Sequence, residues 1–353
     1  MDNFTILTFN ISEVNSNFSK IDKEQLLQNL TNILQPNLDN IYFISSQEDE
    51  IYSKFLYYIK KIFNSDDYFF YESTYISPFA KLIGNNYNIH SLVIIPQVVK
   101  ELNNIKIETI KKINHNTGYT KGSIIIKISN SDTDIYLISS HLPMSNKTID
   151  LGYNKREKSV IDVLKYVSKL INNDKLSYLL WTGDLNFRKD VGNTKKDQLK
   201  DLLIPRIYKK YSIELQDLSQ INKNQPSCKT VMKEDKISCD ELCHTKKGCK
   251  SCYEIQTKKG LRIPSYCDRV LGWSNVGDFV SYNTTSLSAK DFPFIKFSDH
   301  NPVISRVVLP SPEEYFEDTD NNYYDENENL IGGNFYMNKL GKYMQKYNYL
   351  LNN

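Results

Sequence analysis

Strand-like segments rich in Ile, Val, Tyr and Phe recur through residues 4–309 of this chain, with helical segments between some of them. Apolar residues at helical spacing predict helices over residues 21–34, 51–63 and 155–171. Hairpin-like β content with helices at intervals favours a β-sandwich flanked by helices over a doubly wound parallel sheet. The predicted strands cover residues 4–11, 41–46, 68–76, 92–95, 123–128, 135–140, 178–181, 269–273 and 302–309.

The composition changes sharply after residue 310. Residues 311–333 hold eight acidic side chains and no basic one and end in Gly332 and Gly333, a composition that predicts an acidic flexible linker. Residues 334–353 place Tyr and Leu at alternating spacings of four and three, which predicts a short amphipathic helix. That helix either packs on its own domain or recruits a protein partner. We therefore expect one folded domain over residues 1–310, followed by the linker and the terminal segment.

The charge of the chain is unevenly distributed. The whole chain carries +2 and residues 311–353 carry −5, so residues 1–310 carry +7. A basic body suits an anionic ligand, although scattered surface lysines are the more common explanation. No signal-peptide pattern opens the chain, and no apolar run approaches the roughly 20 residues of a membrane span. We expect a cytoplasmic protein that is soluble or peripherally associated with a membrane.

Six polar clusters stand where predicted strands end. One such cluster would read as a turn or a helix cap, but six together offer carboxylate, amide, imidazole and guanidinium groups. Hydrolysis of a phosphate ester needs a cation held by oxygen ligands, a group that activates water, and donors around the developing negative charge. The clusters supply each of these parts. They are residues 8–10, 46–49, 139–142, 181–188, 264–271 and 298–303.

Three of these clusters carry a family resemblance. WTGDLNFR (181–188), PSYCDRVL (264–271) and SDHNPV (298–303) resemble the signatures of the inositol polyphosphate 5-phosphatase branch of the endonuclease/exonuclease/phosphatase superfamily. GDLN and SDH alone indicate only the superfamily, whereas the longer motifs in this order are specific to the branch. Tyr266 stands where the motif has tryptophan. The resemblance implies an α+β, four-layered α/β/β/α sandwich of the DNase I type, with its site at one end of the paired sheets.

The resemblance also implies a magnesium site and a water-activating carboxylate. Glu48 matches the direct Mg²⁺ ligand, Asn10 a ligand or a neighbour on the phosphate side, and Asp299 an acid close to the metal. Asp184 matches the residue that orients and deprotonates the attacking water. A carboxylate can do this only if a cation lowers the pKa of that water.

The groups around the scissile phosphate are implied in the same way. Asn186 and His141 match donors to the phosphate, and His300 matches a histidine that contacts it. Asp268 matches the carboxylate partner of that histidine, which would hold the ring and favour its protonated form. We therefore expect His300 and Asp268 to be in contact.

Two arginines have competing interpretations. Arg269, next to Asp268, is expected either to form a structural ion pair or to contact phosphate. Arg156 occupies the place of a family arginine, but its Lys155–Glu157 context favours a solvated helix face.

Recognition of neighbouring substrate phosphates depends on positions where this chain departs from the family. Lys229 keeps the lysine of a P-T-Y-K-like segment, but Cys228 replaces its tyrosine. Arg262 matches the arginine before the PSYCDRVL motif, while Gly260 replaces a basic residue two places earlier. Lys229, Arg262 and Arg269 are the predicted substrate-binding residues.

An insert over about residues 226–259 is rich in cysteine. Cys239, Cys243, Cys249 and Cys252 give four soft ligands within 14 residues, a set that could hold a structural Zn²⁺. Unpaired cysteines are the alternative, and disulfides are disfavoured in a reducing compartment. We expect this insert to form a small lobe over the substrate entrance.

The predicted function is a Mg²⁺-dependent phosphatase that removes the 5-phosphate of inositol polyphosphates or phosphoinositides. The alternatives are another phosphoesterase of the superfamily, either a nuclease of the AP-endonuclease or DNase type or a sphingomyelinase, and a non-catalytic binding scaffold with a partner-recruiting tail. A scaffold would be expected to lose at least one charged site residue, and none is missing. Nucleic acid is not expected as a partner.

Overall fold

The computed structural model of the chain describes the segments that build the predicted domain. All of them belong to one compact unit, Met1–Ser311. The predicted Cys-rich insert, the terminal helix and, apart from Ser311, the acidic linker lie outside the described residues and stay predictions. The described residues are 3–11, 14, 17–50, 53–77, 88–115, 121–144, 149–172, 174–187, 211, 213–218, 267–289 and 292–311.

The described strands form two six-stranded mixed sheets. In the first sheet the strand order is β11-β12-β1-β2-β4-β3, and only β1 and β2 run parallel to each other. Its strands are β1 (Asn3–Asn10), β2 (Asn40–Asp49), β3 (Tyr68–Tyr75), β4 (Asn88–Pro96), β11 (Val280–Ser286) and β12 (Val303–Val308).

The second sheet repeats this plan. Its order is β5-β6-β7-β8-β10-β9, and only the central pair β7 and β8 is parallel. Its strands are β5 (Lys106–Asn114), β6 (Gly122–Ser129), β7 (Thr133–His141), β8 (Leu176–Asp184), β9 (Gln216–Asp217) and β10 (Asp268–Ser274). The described helices are α1 (Lys23–Leu34), α2 (Lys54–Lys61), α3 (Gln97–Leu102) and α4 (Ile149–Val167), with 3₁₀ turns at Phe18–Lys20 and Pro293–Phe297.

Three apolar layers hold these elements together. In β1, Ile6 faces the second sheet, whereas its neighbour Leu7 packs with α1 and α2, as the two-residue period of a strand requires. On the outer face of the second sheet, Trp181 of β8 packs against Val160 and Leu164 of α4. The predicted four-layered α/β/β/α, DNase I-like sandwich is therefore confirmed. None of the helices described above combines the length and apolarity that a membrane span needs.

Most predicted elements are present with shifted ends, and local chemistry explains several boundaries. Helix α1 begins after Asp22, whose side chain accepts hydrogen bonds from the first-turn backbone N–H groups of Glu24 and Gln25. The predicted helix 155–171 begins earlier, at Ile149, and ends at Val167. Strands β5, β9 and β11 were not predicted. All three are edge strands, and β5 has a lysine-rich, largely exposed sequence without a continuous apolar run.

The two parallel strand pairs decide where polar side chains collect. In the first sheet, Asn10 at the end of β1 lies beside Gln47 near the end of β2. In the second sheet, His141 ends β7 directly beside Asp184 at the end of β8, and Asp184 also pairs with Asp268 at the start of β10. Because parallel strands end at the same edge, each sheet brings its polar strand ends to one place.

His115, which follows β5, provides a test of the packing between β5 and β6. Its ring is buried, and its Nε2 lies 2.8 Å from the Ser123 hydroxyl oxygen. Burial, with a smaller contribution from His141, lowers the pKa of His115 from 6.5 to about 4. The unfolded chain therefore binds more protons than the folded chain between these values, so stability falls as the pH falls through this window.

We predict that protonation of His115 lowers the free energy of unfolding by about 2 kcal/mol between pH 7.5 and pH 5. Urea unfolding at both pH values should show a smaller pH-dependent loss for His115→Phe than for the wild-type protein. An equal loss in the two proteins would contradict the assignment of this titration to His115.

Candidate active site

Side chains from both sheets contact the carboxylate of Asp184, which lies at the centre of the polar cluster. The Asn10 side-chain amide donates to Asp184 Oδ2 at 3.2 Å, and Nε2 of His141 lies 3.2 Å from the same oxygen. Nε2 of His300 lies 4.0 Å from it. The first sheet, the second sheet and the segment before β12 thus each place a side chain against one buried carboxylate.

The charge state of Asp184 follows from these neighbours. Burial by itself would raise the pKa of Asp184, but the hydrogen bond from His141 and the charges of His300, His141 and Lys121 outweigh it. The pKa of Asp184 therefore lies well below its ordinary value, and the carboxylate is ionised at neutral pH.

The backbone around Asp184 is specialised to present it. Gly183 has φ 140°, and a Cβ there would lie 1.9 Å from the carbonyl oxygen of Ser140, so only glycine fits. Asn186 has φ 54°, a left-handed conformation that asparagine tolerates better than most residues. Its N–H donates to Asp184 Oδ1 at 3.2 Å and its Nδ2 donates to the Leu142 carbonyl at 3.0 Å, which fixes the amide side chain.

His300 and Asp268 form the predicted pair. His300 Nδ1 lies 3.0 Å from Asp268 Oδ2, and both side chains are almost fully buried. Burial would lower the pKa of His300, but the charge and hydrogen bond of Asp268, helped by Asp299 and Asp184, raise it above its ordinary value. Since Nδ1 donates to Asp268, the other ring nitrogen is the one that faces Asp184 and Asp299.

Ser298 connects this histidine to the first sheet. Its hydroxyl donates to the carbonyl oxygen of Asn10 at 2.7 Å, and the hydroxyl oxygen of Ser298 accepts from the backbone N–H of His300 at 3.1 Å. The first residue of the SDH motif is therefore what anchors the motif beside β1.

Glu48 and Asp299 are the more accessible acids of the cluster, with side chains 29% and 31% exposed. Glu48 Oε1 lies 3.7 Å from Nε2 of His141. Burial would raise the pKa of Glu48, but the charges of His141, Lys121 and His300 outweigh it and lower the pKa. An ionised, partly accessible carboxylate is what a cation ligand requires.

The residues present fit a Mg²⁺ ion. Within the described segments no group of three or more Asp, Glu, His or Cys side chains has cation-binding geometry. Mg²⁺ does not need one, because it keeps several waters and is usually bound by one or two carboxylates together with substrate phosphate oxygens. The carboxylate of Glu48, with Asn10 and Asp299 nearby in the cluster, supplies hard oxygen donors of that kind.

Lys121 belongs to the cluster but was missed in the sequence. Its Nζ contacts Nε2 of His141. Burial and Lys121 together lower the pKa of His141, although Asp184 and Glu48 oppose them. Strand register is what places Lys121 in the cluster, because Lys121 precedes Gly122, and Gly122 on β6 pairs with His141 on β7.

The two arginines are resolved differently. Arg269 Nη1 forms an ion pair with Asp217 Oδ2 at 2.8 Å, the structural partner that was one of its two expected roles. The expectation that Arg156 lies on a solvated helix face is wrong, because its side chain is 5% exposed and its guanidinium lies 5.3 Å from the centre of the Phe187 ring. Arg156 is buried since a guanidinium is weakly hydrated and stacks well on an aromatic ring.

Two predicted substrate-binding residues and several motif positions lie outside the described residues. These are Arg188, Lys229, Arg262 and the positions where the chain departs from the family, Cys228, Gly260 and Tyr266. The four cysteines of the zinc hypothesis, Cys239, Cys243, Cys249 and Cys252, also lie there. Substrate-phosphate binding by Lys229 and Arg262 and a structural Zn²⁺ therefore stay predictions.

Comparison with known families agrees with this geometry. The model of Endonuclease/Exonuclease/phosphatase family 2 matches residues 7–306, a span that begins in β1 and ends in β12. The chain belongs to this family. The match includes every described residue of the Asp184 cluster.

Individual relatives are distant. A phosphatidylinositol 3,4,5-trisphosphate 5-phosphatase 2A of Danio rerio is 27% identical over 241 residues, and the match covers 59% of this chain and 18% of that protein. The chain thus spans less than a fifth of the curated relative. The 5-phosphatase domain of SPsynaptojanin, solved with inositol (1,4)-bisphosphate and calcium, has a TM-score of 0.54 at 17% identity and covers 90% of this chain and 89% of its own.

A third structure shows that this fold alone does not identify the ligand. Cimex nitrophorin, solved as a ferrous NO complex, has a TM-score of 0.52 at 14% identity and covers 87% of this chain and 99% of its own. The same sandwich therefore occurs in a structure solved with inositol (1,4)-bisphosphate and calcium and in one solved with NO. Chemistry must be argued from the site and not from the fold.

We predict that Asp268→Asn lowers the pKa of His300, because the substitution removes the negative charge that is the largest stabiliser of the imidazolium. Titration of the histidine ring protons by NMR measures this directly. Asp217→Asn is the matched control, since it removes the partly exposed ion-pair partner of Arg269 and should leave the pKa of His300 unchanged. An unaltered His300 titration in Asp268→Asn would contradict the pairing.

Proposed function

We propose that this chain is a Mg²⁺-dependent phosphatase that removes the 5-phosphate of inositol polyphosphates or phosphoinositides. The observation that carries the proposal is the convergence of Asn10, His141 and His300 on the ionised carboxylate of Asp184, with the His300–Asp268 pair behind it. This arrangement combines a proton acceptor with cationic and neutral donors in one buried cluster.

In the proposed reaction Asp184 orients a water molecule and accepts its proton. The low pKa of Asp184 makes it a weak base towards ordinary water. A cation bound through Glu48, with Asn10 and Asp299, would lower the pKa of that water and offset negative charge on the phosphate. The acidic character of Asp184 therefore argues for a metal-assisted mechanism.

Other side chains of the cluster would donate hydrogen bonds to the phosphoryl oxygens and stabilise the negative charge that grows on them. His300, with its raised pKa, supplies a protonated ring nitrogen that is held in place by Asp268. Asn186 is fixed through one amide hydrogen by Leu142, which leaves a second amide hydrogen for a substrate oxygen. His141 is the third proposed donor, and preorganised donors of this kind are worth several kcal/mol in a transition state.

The substrate class is supported by two observations of different kinds. The residues around Asp184 and Asp268 have the WTGDLNFR and PSYCDRVL contexts of the 5-phosphatase branch. The curated relatives that match are named as phosphatidylinositol 3,4,5-trisphosphate 5-phosphatases. A lipid substrate would bring the chain to a membrane surface, whereas a soluble headgroup would not.

A substrate panel separates the alternatives. With Mg²⁺, we expect phosphate release from soluble inositol phosphates or from phosphoinositide vesicles, and no cleavage of abasic DNA or sphingomyelin. Cleavage of DNA or sphingomyelin alone would favour the other phosphoesterases of the superfamily. Absence of all turnover would favour the binding scaffold.

We predict that Asp184→Ala and His300→Ala each lower kcat by a factor of about 10² to 10⁴, because each removes a group that acts on the reacting atoms. Steady-state phosphate release, with circular dichroism to verify folding, measures the effect. Asp134→Ala is the control, since Asp134 pairs with Lys127 at the far end of β7 and should leave kcat near the wild-type value. Wild-type rates in either site variant would overturn the assignment.

A further inference from the structure

The backbone of β2 is interrupted at Glu48. On β4, Ile89 pairs with Gln47 and Asn88 pairs with Asp49, so Glu48 is an extra residue with no partner in the register. Glu48 also has φ 54°, a left-handed conformation that costs a non-glycine residue about 1 to 2 kcal/mol. A β-bulge of this kind re-aims a side chain, and here Glu48 is partly exposed while Gln47 and Asp49 are fully buried.

A strained bulge persists only if its surroundings hold it, and Asp49 holds it from within β2. Asp49 Oδ2 accepts a hydrogen bond from the Ser46 hydroxyl at 2.6 Å, and Asp49 Oδ1 accepts from the backbone N–H of Glu50 at 2.8 Å. The carboxylate thereby ties the residues before the bulge to those after it. Neither hydrogen bond involves the side chain of Glu48.

His90 holds the bulge from the neighbouring strand. Its Nε2 lies 2.7 Å from the Glu50 carbonyl oxygen, which can only accept, so Nε2 carries the hydrogen. In the neutral ring, Nδ1 then accepts from the Thr74 hydroxyl at 2.9 Å. Thr74 on β3 and His90 on β4 are direct register partners, so two strands of the sheet anchor the chain just beyond Glu48.

We propose that His90 is a positioning residue for the cation site, acting by holding the Glu48 bulge through the Glu50 carbonyl; the inference rests on the proposed cation-dependent function. Without this hydrogen bond, the strain at Glu48 is relieved if β2 closes the bulge and regains regular register. A slip of one residue moves each side chain to the opposite face of the sheet. Glu48 would then lose its position beside His141, and the cation would lose its carboxylate.

The test measures cation binding directly and without substrate. We expect His90→Phe, which keeps a ring but removes both hydrogen bonds, to raise the Kd for Mn²⁺ by about tenfold, or about 1.4 kcal/mol. Electron paramagnetic resonance of free Mn²⁺ gives this Kd. His90→Gln places an amide N–H near the position of Nε2 and should restore most of the affinity. A wild-type Kd in folded His90→Phe overturns the inference.

Two further variants keep the test decisive. His115→Phe also loses one buried imidazole but contacts β6 and not the bulge, so its Kd for Mn²⁺ should match the wild type. If His90→Phe does not fold, Thr74→Val replaces it as the test, because this substitution removes only the hydrogen bond between Thr74 and His90. The Kd for Mn²⁺ is then expected to rise about two- to threefold. An unchanged Kd in Thr74→Val overturns the inference.

Glu48→Gln separates this inference from the proposed function. If it abolishes Mn²⁺ binding while His90→Phe has no effect, only the positioning role of His90 fails. If Glu48→Gln binds Mn²⁺ like the wild-type protein, the cation site assigned to Glu48 fails, and with it the metal step of the proposed function.

Discussion

The buried charge of Asp184 is the constraint on which the arrangement of this end of the molecule depends. An ionised carboxylate in a protein interior costs several kcal/mol unless hydrogen bonds and opposite charge compensate it. Compensation comes from Asn10 on one sheet, His141 on the other, and His300. Because no single sheet supplies all three groups, the charge is stable only when both sheets are packed together, and folding and site assembly are one event.

Around this carboxylate the chain repeatedly departs from regular backbone. Gly183, Asn186 and Glu48 all have positive φ, and all three lie at or just beyond the ends of the central strands. Regular strands alternate their side chains between the two faces, which suits apolar layers but cannot turn side chains towards the open end of a sheet. Strain at the strand ends is the means by which buried, regular sheets present polar groups to a ligand.

The surroundings of the site also distinguish it from the fold that carries it. Proteins as different as a synaptojanin 5-phosphatase domain and a nitrophorin share this sandwich. In this chain the site is supported by Arg156 against Phe187, by Asp217 against Arg269, and by the His90 and Asp49 contacts that hold the Glu48 bulge. These contacts are at least partly buried, so each is expected to matter for where the site residues lie.

Periodicity and contiguous motifs such as Trp181–Arg188 were sufficient to predict most strands, most helices, the family and the polar clusters. The sequence also indicated the His300–Asp268 contact, through resemblance and not through spacing. The edge strands β5, β9 and β11, the burial of Arg156, and the places of Lys121 and His90 became visible only in the folded structure. Those depend on strand register and on packing between residues far apart in the chain, and neither leaves a local pattern in the sequence.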